Sequence, residues 1–181
     1  MTSFLTDDNW TLFLDRDGVI NHEINGGYVN TWDDFVFYKG AKEALKIFAT
    51  RFKYIIIITN QRGVGRGITQ PENLQIIHQN MVKEFEAAGG RIDGIYFCTD
   101  VNNDSPNRKP GNGMALQAKK DFPDIDFSKS IMVGNNFSDM EFGRGIGAAT
   151  IFLPTTKKDV SATDTRIDAV YPSLMDFAKS L

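Results

Sequence analysis

The feature that most constrains the fold is a regular alternation of short apolar runs with amphipathic stretches. Apolar runs fall at 11–14, 54–58, 92–97, 131–133, 149–153 and 169–171, and several are rich in Ile, Val, Tyr or Phe. Runs this short and this apolar are expected as strands covered on both faces. Helical patterns lie between them. Ala41, Ala44, Leu45 and Phe48 follow the i, i+3, i+4, i+7 spacing. Leu74, Ile77, Met81, Val82 and Phe85 do the same, with Thr69 as the expected cap, Pro71 in the first turn and Gly89-Gly90 as the terminator. Met114, Ala115 and Ala118 predict a short helix, and Ser173 is placed to cap a last one carrying Leu174, Phe177, Ala178 and Leu181. Strands alternating with helices imply βαβ units, hence an α/β, three-layer Rossmann-like fold with a mainly parallel sheet and right-handed crossovers. A chain of 181 residues fits one domain with a full core, taken as 1–181.

In such sheets, ligands sit beyond the carboxyl ends of the strands. Asp15-Arg16-Asp17-Gly18 follows the first strand, and Thr59-Asn60-Gln61-Arg62-Gly63 follows the second. Arg108-Lys109 closes the loop after the third, and Gly134-Asn135-Asn136-Phe137-Ser138-Asp139 follows the fourth. Polar and charged residues therefore collect on one rim. Asp15 comes straight after a buried strand, so its backbone is expected to be rigid, and Gly18 lets the chain turn away sharply. At a strand end that is already turning, two carboxylates can divide the work. One attacks or binds metal while the other exchanges protons.

Bulk properties exclude other classes. The net charge of −3 does not favour wholesale binding to nucleic acid or to an acidic membrane. The longest strongly apolar run, Tyr54-Ile55-Ile56-Ile57-Ile58, is too short to cross a bilayer. Residues 1–8 are acidic and lack a signal-peptide core, so a cytoplasmic location is expected. The single cysteine, Cys98, rules out an internal disulfide and is expected as a buried strand-end thiol. His78 lies in an amphipathic helix and reads as structural, whereas His22 lies in the loop after the carboxylate pair.

The four strand-end loops resemble the signatures of the haloacid dehalogenase superfamily, specifically its small-capped phosphatases. Asp15 to Asn21 looks like the first signature, Thr59 to Gly67 the second, Arg108-Lys109-Pro110 the third, and Gly134-Asn135 through Asp139 the fourth. Gly27-Tyr28-Val29, Asp93-Gly94-Ile95-Tyr96 and Gly113-Met114 are similar to the heptose-bisphosphate and histidinol-phosphate phosphatases. The resemblance implies a magnesium-dependent phosphatase that hydrolyses a small phosphomonoester through an aspartyl-phosphate. Asp15 would attack phosphorus. Asp17 would protonate the leaving oxygen and then activate water. Asp15, Asp17 (through its carbonyl), Asn135 and Asp139 would hold Mg2+. On this reading Lys109 is the second cation offsetting the carboxylates, and Thr59 and Asn60 donate hydrogen bonds to phosphate. Arg62, Arg66 and Arg108 are suited to a second anionic group, since guanidinium forks match phosphate. Gln61 and Tyr28 complete the expected substrate-binding set. A monomer acting on a small phosphorylated substrate is expected.

The chain departs from the family pattern in two places. An acidic residue normally follows the glycine of the fourth signature, and here Asn135 stands there. An amide oxygen is a weaker magnesium ligand than a carboxylate, so a site of reduced affinity is expected. The segment 98–107 has one cysteine and no histidine, so the family's zinc loop cannot be assembled and no structural zinc is expected. The stretch at about 21–35, with Gly26-Gly27-Tyr28 and Trp32, reads as a short flap over the site, without a large cap domain. Three alternatives stay open: a polynucleotide 3′-phosphatase, a dehalogenase (against which Asp17 speaks), and a phosphate-binding protein whose turnover Asn135 has weakened.

Overall fold

A computed structural model describes residues 9–157, 160–161 and 164–181. The acidic segment 1–8 lies outside the described residues. Six strands form one sheet, and every pairing in it is parallel. They are β1 (Thr11–Leu14), β2 (Tyr54–Asn60), β3 (Gly94–Cys98), β4 (Ser130–Gly134), β5 (Ala149–Phe152) and β6 (Ala169–Val170), in the order β3-β2-β1-β4-β5-β6. The helices are α1 (Ala41–Phe48), α2 (Arg62–Gly65), α3 (Pro71–Ala87), α4 (Gly113–Asp121), α5 (Phe137–Ile146) and α6 (Leu174–Lys179). No helix among the described residues is long and apolar enough to cross a membrane.

Strand alternation sorts the core into two layers. Leu12, Leu14, Ile55, Ile57, Ile131 and Val133 face α1, α3 and α6, where Leu45, Phe48, Ile77, Phe85 and Phe177 meet them. Phe13, Ile56, Ile58 and Met132 face the other way, against Met114, Ala118 and Phe142 of α4 and α5. Each of these large apolar side chains contributes roughly 1.5–3 kcal/mol when fully buried, so the central strands cannot slip register cheaply. Leu14 pairs with Ile57 on one side and Val133 on the other. That register brings Asp15 level with Gly134 at the end of β4 and with Ile58, two residues before the end of β2.

The strand and helix pattern follows the sequence in outline and differs from it at particular positions. β2 continues to Asn60, so Thr59 and Asn60 are its last residues rather than loop residues. β3 starts at Gly94, because the Asp93 carboxylate instead accepts the Ile55 N–H at 2.7 Å and is held by Arg91. β3 and β6 are the sheet edges and are not covered on both faces, which leaves Phe97 48% exposed. The cap of α3 is Gln70, not Thr69. The Thr69 hydroxyl donates instead to Asn30 Oδ1 at 2.7 Å. Ser173 caps α6 as expected, accepting the Asp176 N–H. Helix α5 was not legible as a periodic pattern, since Gly143 and Gly145 interrupt it. Gly143 is required by packing: a Cβ there would lie 2.7 Å from Thr150 Cγ2 and 3.0 Å from Met132 Cβ.

Residues 20–22 and 36–38 run back beside each other, joined by His22 N–H to Val36 O and Tyr38 N–H to Ile20 O, both 2.9 Å. Between them a short 3-10 turn, Trp32–Asp34, is closed by a capping box from Thr31 and Asp34. Trp32, Phe35 and Phe37 pack on one another, and Phe37 meets Phe85 of α3 edge-on at 5.4 Å. Residues 23–29 project from this aromatic base towards the carboxyl ends of the strands.

Candidate active site

Asp15 leaves β1 with its N–H donated to Val133 O at 3.0 Å, which fixes the backbone of the first carboxylate. Lys109 reaches it from the far side of β2. Lys109, 4% exposed, contacts Asp15 Oδ1 at 2.8 Å, Asp139 Oδ1 at 2.7 Å and Ile58 O at 2.9 Å through its ammonium. An ammonium has three protons, and here each has an acceptor. The backbone carrying Lys109 is held by Asn60, whose amide makes a reciprocal pair with Lys109 N–H (3.0 Å) and Lys109 O (3.2 Å). Asn60 therefore serves the lysine's main chain with both ends of its side chain.

Two buried carboxylates thus share one ammonium. Burial pushes Asp15 up to about 7, Lys109 opposes this, and the charges of Asp139 and Asp17 add to it. Lys109 is raised above its ordinary range: burial works against its charge, but Asp139 and Asp15 outweigh burial. Asp139 is 1% exposed, and its Oδ2 accepts the N–H groups of Asn135 (3.2 Å) and Asn136 (3.0 Å) at the start of α5. The helix N-terminus favours that negative charge. Both oxygens of Asp139 are therefore already engaged, one by the helix start and one by Lys109.

Asp17 is held differently. Arg16 Nη2 donates to both its oxygens at 2.9 and 3.0 Å, Asn21 Nδ2 to Oδ1 at 2.8 Å, and Gln61 Nε2 to Oδ2 at 2.8 Å. Burial alone would raise its pKa. The Arg16 guanidinium and the bonds from Asn21 and Gln61 outweigh burial and hold it below the ordinary carboxylate range. Gln61 Nε2 also donates to the Thr59 hydroxyl at 2.9 Å, and Gln61 N–H is anchored on Cys98 O at 2.7 Å. Cys98 is a buried thiol whose pKa burial pushes up.

A cavity of about 240 Å³ opens on Asp15, Asp17, Thr59, Asn60, Arg108, Lys109 and Asp139. A neighbouring cavity of about 170 Å³ is lined by Asp17, Tyr28, Asn60, Gln61 and residues of 23–29. The two share Asp17, Asn60 and Glu23. Glu23 is a site residue the sequence reading missed. Its only signal was an acidic residue in the stretch after the nucleophile loop. Asn136 and Ser138 also line the first cavity unforeseen. His22 lines neither; its ring lies tilted against that of Tyr38, with centroids 3.8 Å apart. A larger concavity, about 730 Å³ between α3 and β3, is an apolar groove away from the carboxylates, so the chemistry belongs to the smaller, polar cavities.

Arg108 lines the first cavity, and Arg62 and Arg66 lie near enough for their charges to act on it. Arg66 Nη1 donates to the Tyr28 hydroxyl at 2.9 Å, and Arg62 Nη2 donates to Asn103 Oδ1. Arg62 Nε and Arg108 Nη1 are buried without a hydrogen-bond partner. Burial pulls the Arg108 pKa down, and the nearby charges of Arg62 and Arg66 pull it further. None of the three makes an ion pair among the described residues. Mutually repelling guanidinium groups with free N–H donors match an anion.

The donor set also fits a hard divalent cation. No cluster of three or more His, Cys, Asp and Glu side chains among the described residues forms a metal cage by itself. Three oxygens nevertheless accept no hydrogen bond from the described residues: Asp15 Oδ2, the Asp17 carbonyl and Asn135 Oδ1. Asn135 is 2% exposed and donates its Nδ2 to Thr156 Oγ1 at 2.9 Å, which turns Oδ1 free. Its amide packs so closely on Gly18 that a Cβ there would lie 1.9 Å from Nδ2, and Gly18 has φ +86°. Glycine is required on both counts. Magnesium takes such oxygens and keeps several waters.

A parallel α/β sheet carrying a nucleophile-like aspartate, a second aspartate two residues on, and a lysine from a later strand-end loop defines an aspartate-based phosphohydrolase of the haloacid dehalogenase-like fold. Comparison with known proteins agrees: residues 12–171 match the family described as polynucleotide kinase 3 phosphatase, and the chain belongs to that family of phosphoric monoester hydrolases. D-glycero-alpha-D-manno-heptose-1,7-bisphosphate 7-phosphatase of Mycobacterium tuberculosis is 35% identical over 170 residues, covering 93% of this chain and 90% of that protein. The enzyme of the same name from Campylobacter jejuni is 40% identical over 147 residues, covering 81% and 83%. The crystal structure of D,D-heptose 1,7-bisphosphate phosphatase from B. bronchiseptica, complexed with magnesium and phosphate, superposes with a TM-score of 0.84 at 24% identity, covering 94% of this chain and 96% of that one.

Proposed function

We propose that this chain is a magnesium-dependent phosphatase of a small sugar phosphate, with heptose 1,7-bisphosphate as the favoured substrate. The chemistry rests on the Asp15–Lys109–Asp139 cluster facing the same cavity as Asp17. The single observation that favours a bisphosphate is the group of Arg62, Arg66 and Arg108 beside the first cavity, with unpartnered donors on Arg62 and Arg108 and no carboxylate partner among the described residues. Heptose-bisphosphate phosphatases among the relatives support the sugar. We further take the chain as a single domain, 1–181, acting as a cytoplasmic monomer, with residues at about 21–35 forming the flap over the cavity.

In this mechanism a carboxylate oxygen of Asp15 attacks phosphorus in line, and the bond from phosphorus to the sugar oxygen breaks. Asp17 gives that oxygen its proton, then takes one from the water that cleaves the aspartyl-phosphate. The clamp of Arg16, Asn21 and Gln61 favours the charged form of Asp17. The arriving phosphate places further negative charge beside it, which pushes its pKa back up towards a proton donor. Lys109 offsets the charge of Asp15 and, by shifting one of its three protons, that of a phosphoryl oxygen. Thr59 contributes a hydroxyl proton to the phosphate. Asn60 and Gln61 act by holding Lys109 and Asp17. Magnesium, when bound, supplies charge neutralisation at the phosphoryl oxygens. Asp15, the Asp17 carbonyl and Asn135 would hold it, with Asp139 acting through the Asn135–Asn136 backbone.

With an amide in place of a carboxylate, the cation is held more weakly. Asn135→Asp is expected to lower the half-saturating magnesium concentration by about tenfold, since affinity follows ligand charge. Phosphate release titrated with magnesium checks this; equal half-saturation in the two proteins would refute the weak-site reading.

The substrate is tested by phosphate release from heptose 1,7-bisphosphate, histidinol phosphate and a 3′-phosphorylated oligonucleotide, each with and without magnesium. The expected result is magnesium-dependent release, fastest from the heptose bisphosphate. The family's description favours one other reading, a polynucleotide 3′-phosphatase. A track for nucleic acid would carry more positive charge than these three arginines, and the chain's net charge is −3. Fastest release from the oligonucleotide would overturn the sugar-phosphate assignment in its favour.

A further inference from the structure

We infer that His78 is a positioning residue for proton transfer, acting on Asp17 through Arg16. The inference rests on the reading of Asp17 as the proton carrier.

Arg16 lies between the two site aspartates in sequence, yet its side chain points away from solvent and is 1% exposed. Its guanidinium lies between two partners. Nε and Nη2 face the Asp17 carboxylate, with Nε 3.3 Å from Oδ1. On the other side, Nη1 lies 3.1 Å from Nε2 of His78 on α3. Arginine is always a cation and accepts no hydrogen bond. The contact is therefore a hydrogen bond only when Nε2 of His78 offers its lone pair, which means a neutral ring with its proton on Nδ1. Burial, followed by the Arg16 charge, drives the His78 pKa down to about 3, against a smaller pull from Asp17. The ring lies 5.6 Å from that of Phe97 and lines the apolar groove between α3 and β3.

The geometry assigns His78 one task. It is the acceptor that completes the guanidinium's hydrogen bonds at the end remote from Asp17. Without it, a buried N–H of a cation has no partner, and the guanidinium turns to find one. The Arg16 fork then no longer meets Asp17 squarely. Proton donation to a leaving oxygen tolerates little displacement: about 1 Å of misplacement can cost on the order of 10²-fold in rate. A simple packing role for His78 predicts no such selectivity.

The test separates steps that need a proton from those that do not. kcat/KM covers events up to departure of the alcohol. An aliphatic phosphate ester needs its leaving oxygen protonated, whereas 4-nitrophenyl phosphate loses a stable anion. His78→Leu keeps the apolar lining beside Leu74 and Val82 and removes the acceptor. His78→Gln keeps an acceptor oxygen at similar reach. For His78→Leu we expect kcat/KM to fall about tenfold on the aliphatic ester and to stay within about twofold on the nitrophenyl ester. His78→Gln should restore most of the loss. Asp17→Asn should show the same selectivity more strongly, about 10²-fold or more on the aliphatic ester. Equal losses on both esters in His78→Leu, no loss on either, or a His78→Gln as impaired as His78→Leu would each overturn the positioning role. If Asp17→Asn is selective and His78→Leu is not, only this inference fails. If Asp17→Asn shows no selectivity, the proton-carrier assignment falls and this inference falls with it.

Discussion

Asp15→Asn is expected to lower phosphate release by about 10⁴-fold or more at saturating magnesium and substrate, because an amide oxygen cannot act as the nucleophile and losing a covalent catalyst removes most of kcat. The change is nearly isosteric, so the cavity keeps its shape. It should also stabilise the protein measured in a chelator. Asp15 is raised to about 7 in the folded state, well above its ordinary carboxylate value. A group raised on folding contributes stability that is present below its unfolded pKa and lost as pH rises through the folded one. Wild type therefore loses stability between about pH 4 and 7 on this account. The variant has no such titration, and its Lys109 still pairs with Asp139. The Tm advantage of Asp15→Asn should thus be small near pH 4, grow with pH and level off above 7. A Tm difference that shrinks with rising pH would contradict the burial argument.

The second large effect belongs to Lys109. Lys109→Met keeps most of the stem volume and removes the one cation between Asp15 and Asp139. Breaking a buried ion pair from one side costs about 3–5 kcal/mol, because the remaining charge is left uncompensated. For a chain of this size that corresponds to a drop in Tm of about 10 °C or more. The sign of its pH dependence follows from the same linkage. Without Lys109, Asp15 is raised further, so the loss is greatest at high pH and is relieved as Asp15 protonates on acidification. Adding Asp15→Asn to Lys109→Met should recover part of the lost stability, since it removes one of the stranded charges, while activity stays at background. Calorimetry of the single and double variants decides this. A Lys109→Met protein as stable as wild type at pH 8 would show that the ammonium is solvated rather than shared.

The fold was legible where local pattern and burial coincide. β1 and β2 are unbroken apolar runs, and the structure buries them on both faces at the centre of the sheet. α1 and α3 carried their apolar faces openly in the sequence. α5 did not, because the close approach to Thr150 and Met132 demands glycine where a helix pattern would show a side chain. Its start was marked only by Asn136 and Asp139 at capping-box spacing. The cap of α3 was misplaced by one residue because Thr69 spends its hydroxyl on Asn30, a partner 39 positions away.

Within the site, residue identities were legible and partnerships were not. Asp15, Asp17, Lys109 and Asp139 each stood out as strand-end residues. That Lys109 binds both carboxylates at once depends on chain segments far apart in sequence, and no local spacing encodes it. Asn60 read as a phosphate ligand and Gln61 as a substrate contact, whereas their amides are occupied by Lys109 and Asp17. Arg16 and His78 show the limit most clearly. An arginine inside a turn motif ordinarily reads as solvated, and a histidine on an amphipathic helix reads as packing. Only the fold brings them within hydrogen-bonding distance.

The central claim, that Asp15 carries the phosphoryl group, is tested most directly by acid-quenching a single turnover and mapping the protein's peptides by mass spectrometry. The account predicts a phosphoryl group that appears on the peptide containing Asp15 and decays as free phosphate accumulates, and that is absent from Asp15→Asn. Phosphate release with no covalent phosphoryl-protein at any time, or with the group on another residue, would contradict it.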